Sequence, residues 1–440
     1  MARKLFGTDG VRGVVGEFLS AELALALGRA AVAATNTERP RVLIIRDTRE
    51  SGEMLQAALA AGVSCLGGEA LLGGVLPTPA APLLIGRYGF DLGVVISASH
   101  NPYEDNGIKF FGADGYKLTD AAEAAIEDRL GSDAQPSGEI HAGRIRELQG
   151  AGEDYLRELQ TRFQNLDLQG RDILLDCANG ATYRVAPEIF RRLGAKVTVI
   201  DDRPDGRNIN DGCGSTHIAR LGEFVRAGGH SVGFAFDGDG DRVLAVDGSG
   251  EVVDGDELMA LAVMHLKQSG RLEGEGVVVT VMTNYGFHAA MRQAGISVAT
   301  TQVGDRYVLE ELRARGWVLG GEQSGHIIDM SFNRSGDGIA SALLALEALA
   351  GGDLTGRQAM QKLPQRLVNV PVRDRNALEH ADTVLQAVRS EDERLAGRGR
   401  VLVRPSGTEP LVRVMVEAPS DTEAEETCQR LVDLVQRELA

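Results

Sequence analysis

The chain has 440 residues, a formal net charge of -17, and 43% hydrophobic and 25% charged residues. That length predicts roughly three or four domains, with enough apolar material for several cores. The acidic balance argues against a general nucleic-acid or anionic-membrane surface, so any phosphate chemistry has to concentrate its cations locally.

Four cysteines (Cys65, Cys177, Cys213 and Cys428) lie far apart with no CxxC pair, which predicts reduced, mostly buried thiols. The start, Met1 to Lys4, is basic, but Leu5-Phe-Gly-Thr-Asp9 supplies no apolar signal core. No run approaches the ~18 apolar residues of a membrane span. These features predict a cytoplasmic protein.

In chain order, Phe6-Gly-Thr-Asp-Gly-Val-Arg12-Gly13 is a glycine-rich loop ending near an arginine, by itself a weak phosphate signal. A helix is expected over Ala21–Ala34 with Ser20 as N-cap. Apolar runs at Val42–Ile45, Leu71–Leu76 and Leu92–Ile96 alternate with a helical pattern after Ser51, the rhythm of a mostly parallel βαβ unit. Thr119 to about Leu159 reads as charged and mostly helical. A second such unit starts at Ile173 and a third near Val252; the latter includes strands at Val277–Val281 and Trp317–Leu319. The last ~75 residues change to strand, helix, two strands and a final helix, with Ser420 and Glu423 as a capping box. The expected boundaries are 1–150, 151–252, 253–365 and 366–440.

Four loops carry chemistry. Asp237-Gly-Asp239-Gly-Asp241-Arg242 follows the alternating run ending at Phe236 and precedes Val243–Val246, so its carboxylates fall at a sharp turn between strands. Three crowded carboxylates repel and raise one another's pKa, a conflict that a divalent cation resolves. Oxygen-only donors favour Mg²⁺ or Ca²⁺. An EF-hand requires Gly and Glu where Arg242 and Gly248 stand. A phosphatase with an aspartate nucleophile leaves Asp241 and Arg242 without a use, and an exposed acidic turn is the bland alternative.

Ser97-Ala-Ser99-His100-Asn101-Pro102 ends a buried strand, the usual ligand position in an open α/β sheet. Ser99 is a candidate nucleophile, though outside any Gly-x-Ser-x-Gly elbow, and Lys109 follows closely enough to return a cation to it. Gly321-Glu322-Gln-Ser324-Gly-His326 carries hydrogen-bonding groups suited to sugar hydroxyls or an amine, or forms a plain polar turn. Arg404-Pro-Ser406-Gly407-Thr408-Glu-Pro, followed by Arg413, offers guanidinium, hydroxyl and backbone N–H groups for a phosphate cradle.

As a set, one per domain and in this order, these loops resemble the α-D-phosphohexomutase superfamily along nearly the whole chain. Phe6–Gly13, Tyr103–Phe111, Gln302–Val308 and Gln323 resemble its bacterial amino-sugar branch; Glu104, where aspartate is commoner, is a mild departure. The resemblance implies an α/β fold: three similar α/β domains with mixed, mostly parallel sheets plus a smaller C-terminal α+β domain around a central cleft. It implies interconversion of glucosamine 6-phosphate and glucosamine 1-phosphate, for UDP-N-acetylglucosamine and cell-wall precursors. Ser99 would carry the phosphoryl group, glucosamine 1,6-bisphosphate would be the intermediate and activator, and one Mg²⁺ would sit on Asp237, Asp239, Asp241 and phosphorylated Ser99. Arg12, Lys109 and Arg242 would surround that phosphate, with Lys109, His100 and His326 competing for the acid/base role. Glu322 and Ser324 would hold the sugar, and Arg404, Ser406, Gly407, Thr408 and Arg413 the non-reacting phosphate. The expected partner is a hexosamine phosphate, not nucleic acid or membrane, and the chain is expected to act as a monomer or homodimer. A phosphomannomutase/phosphoglucomutase, a Mg²⁺-dependent phosphatase and a non-catalytic sugar-phosphate binder are the alternatives.

Overall fold

The computed structural model describes residues 5–7, 9–35, 37–130, 142–406 and 409–440. Apolar runs such as Val42–Ile45, buried at every position, form parallel strands covered on both faces, as helices flanking a sheet require. The first sheet contains β1 (Val11–Val14), β2 (Arg41–Arg46), β3 (Glu69–Val75), β4 (Leu92–Ile96), β5 (Asp105–Gly112) and β6 (Ile145–Glu147), in the order β1-β5-β4-β2-β3-β6. The second contains β7 (Asp172–Asp176), β8 (Lys196–Ile200), β9 (Val232–Phe236), β10 (Val243–Asp247) and β11 (Val252–Val253), in the order β11-β10-β9-β7-β8. The third contains β12 (Gly276–Thr280), β13 (Ser297–Thr301), β14 (Leu319–Gly321) and β15 (Ile327–Asp329), in the order β13-β12-β14-β15.

These orders share one plan. In each domain a central strand pairs parallel with the next (β2 with β4, β7 with β9, β12 with β14). The chain then turns back as an antiparallel neighbour: β5 on β4, β10 on β9, β15 on β14. The serine, aspartate and glutamate loops are the turns of these three hairpins. They therefore sit at the carboxyl ends of corresponding strands, where an α/β sheet presents its ligand site.

The C-terminal sheet is antiparallel, with β16 (Gln365–Pro371), β17 (Arg400–Pro405) and β18 (Leu411–Glu417) in the order β16-β18-β17. Val370, Val414 and Val416 pack one face against Cys428, Leu431 and Val435 of the helix Asp421–Leu439. The alternate residues Arg404 and Arg413, directly opposite in register, project from the other face. By compactness the chain forms two units: 1–281 with 298–357, and 282–297 with 358–440. The helix Tyr285–Gln293 groups with the C-terminal sheet because the Asn284 side chain bonds both backbone groups of Leu363 and Tyr285 N–H donates to Glu417.

Three expectations need correction. The stretch from Thr119 forms the helices Asp120–Leu130 and Ala151–Arg162, but β6 lies between them and pairs parallel with β3. All three β6 residues are exposed, so no apolar alternation marks the strand; the free edge of β3 selects it. The strand expected at Trp317–Leu319 runs Leu319–Gly321 instead, because Gly320 pairs where a Cβ would lie 2.8 Å from Val278 O. At Ser420 only half of the capping box forms: Ser420 Oγ accepts from Glu423 N–H, while the Glu423 carboxylate turns to Arg398. The complete box is at Asp254 and Glu257. The four cysteines are free thiols, three buried and Cys65 exposed. No helix among the described residues is long and apolar enough to cross a membrane.

Candidate functional site

The aspartate loop is shaped by what its glycines lack. A Cβ on Gly238 would stand 2.6 Å from Ser99 O and 2.7 Å from Asn210 Nδ2, so only glycine lets the two loops touch. Gly240 takes φ +71°, where other residues are strained. The resulting turn buries Asp237, Asp239 and Asp241, with one carboxylate oxygen of each within 4.8 Å of the others.

Each carboxylate has a separate anchor. Asp237 accepts from Arg242 N–H at 3.0 Å and from Ser99 Oγ at 2.6 Å. Asp239 accepts from Thr78 Oγ1 at 2.6 Å and Lys109 Nζ at 2.8 Å. Asp241 Oδ2 lies 3.5 Å from His326 Nδ1. Burial and the repulsion of Asp241 and Asp239 push Asp237 well above the usual carboxylate range. Against burial, Lys109 and Thr78 hold Asp239 below it. Asp239 Oδ1 and Asp241 Oδ1 are buried and meet no hydrogen-bond donor. Unsatisfied, converging oxygens of this kind fit a hard cation such as Mg²⁺.

Ser99 adopts φ +52°, a costly conformation for a non-glycine residue, and it is held there from every side. Ser97 Oγ accepts from Ser99 N–H at 3.0 Å and donates to Asp47 at 2.5 Å. Asp47 also accepts from Arg49 Nε at 2.9 Å. The buried Arg49 guanidinium donates to Ser99 O at 3.0 Å and Asn101 O at 2.8 Å, and also to Pro102 O. Asn210 of the second domain donates to Ser99 O at 2.9 Å and Asn101 O at 3.1 Å.

Among the three acid/base candidates, His100 Nδ1 is the group in hydrogen-bond range of Ser99 Oγ, at 3.3 Å. Burial, then the nearby Arg242 and Arg12, depress its pKa and keep the imidazole neutral. Lys109 is pulled the other way: despite burial, Asp239 and Asp9 raise it, so it remains an ammonium. His326 Nε2 accepts from Gly336 N–H at 3.2 Å, which turns Nδ1 toward Asp241. Arg12 donates to Asp9, and its Nε is buried without a hydrogen-bond partner; Arg242 Nε likewise makes no hydrogen bond but lies 3.8 Å from Asp241 Oδ1.

The glutamate loop meets the aspartate loop directly, since Val243 N–H donates to Gly325 O at 3.1 Å. Glu322 is buried and accepts from Gly304 N–H at 3.0 Å, while Ser324 is exposed. In the C-terminal unit, Arg404 and Arg413 lie side by side. Burial and Arg413 lower the Arg404 pKa; Arg413 Nε is buried without a hydrogen-bond partner, and its guanidinium lies 3.9 Å from the Glu409 carboxylate. Ser406 is buried beside them in sequence; Gly407 and Thr408 lie outside the described residues. Sequence reading passed over Asp9, Thr78, Arg49 and Asn210. The only signal for Arg49 was a charge just past the end of a buried parallel strand.

A serine of the first domain held beside a buried carboxylate triad of the second is the equipment of a phosphoryl-transfer enzyme of the phosphohexomutase class. Residues 3–137, 153–250, 254–367 and 367–434 match alpha/beta/alpha domains I, II and III and the C-terminal domain of phosphoglucomutase/phosphomannomutase. A phosphoglucosamine mutase of Desulforudis audaxviator is 52% identical, over 98% of this chain and 97% of its own. The fold is also that of a phosphoglucomutase/phosphomannomutase family protein from Burkholderia thailandensis (TM-score 0.81, 23% identity, 99% and 98% of the two chains). It is shared by Aspergillus fumigatus N-acetylphosphoglucosamine mutase, solved with GlcNAc-6P and magnesium (TM-score 0.68, 18% identity, 99% and 96%). The chain belongs to the phosphoglucomutase/phosphomannomutase family, in its phosphoglucosamine mutase branch.

Proposed function

We propose that the protein interconverts glucosamine 6-phosphate and glucosamine 1-phosphate through a phosphorylated Ser99, in the cytoplasm, as a supplier of amino-sugar precursors for the cell wall. The observation that carries this reading is Ser99 Oγ held 2.6 Å from Asp237 at the edge of a carboxylate triad with unsatisfied oxygens. Binding alone has no use for a strained hydroxyl at that position.

Asp237, Asp239 and Asp241 would hold one Mg²⁺, which supplies charge neutralisation at the transferring phosphoryl group. The remaining steps belong to the chain. The sugar 1-hydroxyl attacks the phosphorus of phosphoserine 99, the Ser99 Oγ–P bond breaks, and glucosamine 1,6-bisphosphate forms. The proton lost by the sugar hydroxyl and the one gained by Ser99 Oγ balance. His100, neutral and 3.3 Å away, is placed to handle the proton at Oγ. Lys109, Arg12 and Arg242 stabilise charge on the phosphoryl group. The bisphosphate turns over and returns its 6-phosphoryl group to Ser99. Glu322 and Ser324 bind sugar hydroxyls, and Arg404, Arg413 and Ser406 take the phosphate that is not reacting.

A panel of glucosamine, glucose and mannose 6-phosphates, assayed for both isomer and inorganic phosphate, tests this. The proposal expects isomer formation with glucosamine phosphate preferred. Preference for glucose or mannose phosphate would reassign the substrate, and stoichiometric phosphate release would make the protein a phosphatase.

A further inference from the structure

Lys117 belongs to none of the loops above, yet it is a partly buried cation, its side chain 17% exposed, between two carboxylates of different domains. Its Nζ bonds Asp9 and lies 2.5 Å from Asp305 Oδ2. An isolated bridge to Phe111 fixes its backbone just beyond β5, the strand that carries Lys109. Asp305 and Asp9 keep it an ammonium against the penalty of burial.

Its two partners each reach the site. The other oxygen of Asp9 receives Arg12 and, at 3.1 Å, Lys109 Nζ. Asp305 opens the helix Asp305–Arg315 immediately after Gly304, whose N–H binds the Glu322 carboxylate. Asp305 also lies 3.9 Å from His326 Nε2, and His326 leads back to Asp241. The contacts thus run in a chain from Asp239 through Lys109, Asp9, Lys117 and Asp305 to His326 and Asp241. The contact of the first and third domains does not need this series to hold together. Arg306 pairs with Asp120 and Glu123, and Arg313 stacks on Tyr116 at 4.2 Å.

We propose that Lys117 is a positioning residue for phosphoryl transfer: by pinning Asp9 and Asp305 together it fixes the phosphoserine-side cations and the sugar-loop glutamate in one geometry. This rests on the mutase reading above. Without Lys117, Asp9 gains a free oxygen that competes with substrate phosphate for Arg12 and Lys109, and the Asp305 carboxylate loses the cation that fixes it, although Arg306 still holds the helix in place. Small misplacements of this kind cost rate far more than binding.

The test compares wild type, Lys117→Met, Lys117→Arg and Asp305→Asn, using whichever hexose phosphate the wild type isomerises most efficiently, with thermal midpoints measured alongside. The expected result for Lys117→Met is kcat lowered by about ten-fold or more with KM changed less than about three-fold, at unchanged folded fraction. Lys117→Arg should recover most of that loss, and Asp305→Asn should reproduce it if Lys117→Met does not fold. Near wild-type kcat in both Lys117→Met and Asp305→Asn, losses explained by unfolding in both, or no recovery with arginine would overturn the proposal. If the wild type isomerises glucose phosphate but not glucosamine phosphate, the substrate reading fails while the same ratios still decide the role of Lys117.

Discussion

At the scale of single residues, the site is built on contacts that tolerate no added atom. Gly238 places its backbone against the Ser99 carbonyl, and the same carbonyl takes donors from Arg49 and Asn210. Gly238→Ala should therefore push the aspartate loop off the serine loop. We expect kcat to fall by about a hundred-fold, because reacting groups displaced by about 1 Å lose that much, with the far-UV circular dichroism unchanged. Wild-type kcat would show that the loops need not touch. Ser99 and the three aspartates were legible in the sequence because their chemistry is local: alternating Asp in one turn, and Ser-His at a strand end. Asn210 and Thr78 were not, because they act on residues 111 and 161 positions away, and nothing in Pro77-Thr-Pro79 foretells a hydroxyl on Asp239.

The secondary-structure elements repeat one device three times, a parallel strand turning back as a hairpin, and the sequence revealed only its rhythm. The strands were found where apolar runs are long; β6 escaped and β14 was expected two residues early, because exposed or glycine-rich strands take their register from neighbours. A second element-scale feature is the cap of the helix Gly338–Ala348. Asp337 accepts from Ala340 N–H and from Tyr155 Oη, both at 3.0 Å, but burial still raises its pKa to about 6. Because the folded value lies above the unfolded one, the native chain binds the extra proton. This group's contribution to stability is therefore present at low pH and is lost as pH rises from about 4 through about 6. Asp337→Asn removes that dependence, so between pH 5 and pH 7 the wild type should lose about 1 kcal/mol more than the variant in urea unfolding. Equal losses would show that Asp337 stays ionised when buried.

For the whole molecule, a net charge of -17 has to coexist with binding doubly charged phosphates. The chain does this by concentrating cations locally, among them Arg12, Lys109 and Arg242 in one unit and the Arg404–Arg413 pair in the other. In the proposed reaction the arginine pair takes the non-reacting phosphate and the intermediate turns over, so the pair would have to serve both orientations of the sugar. Arg413→Ala should lower kcat/KM by about ten- to a hundred-fold in both reaction directions, the loss of a charge-assisted contact. A loss confined to one direction would end the shared-cradle assignment.

The central claim, that Ser99 carries the phosphoryl group to the sugar, is tested most directly by a single turnover. Enzyme phosphorylated at Ser99 is mixed with glucosamine 6-phosphate and Mg²⁺, quenched at intervals, and followed by intact mass and by the sugar phosphates formed. The account predicts that phosphate leaves Ser99 as glucosamine 1,6-bisphosphate appears in equal amount and before glucosamine 1-phosphate. Glucosamine 1-phosphate formed while Ser99 keeps its phosphate, or at wild-type rate in Ser99→Ala, would contradict it.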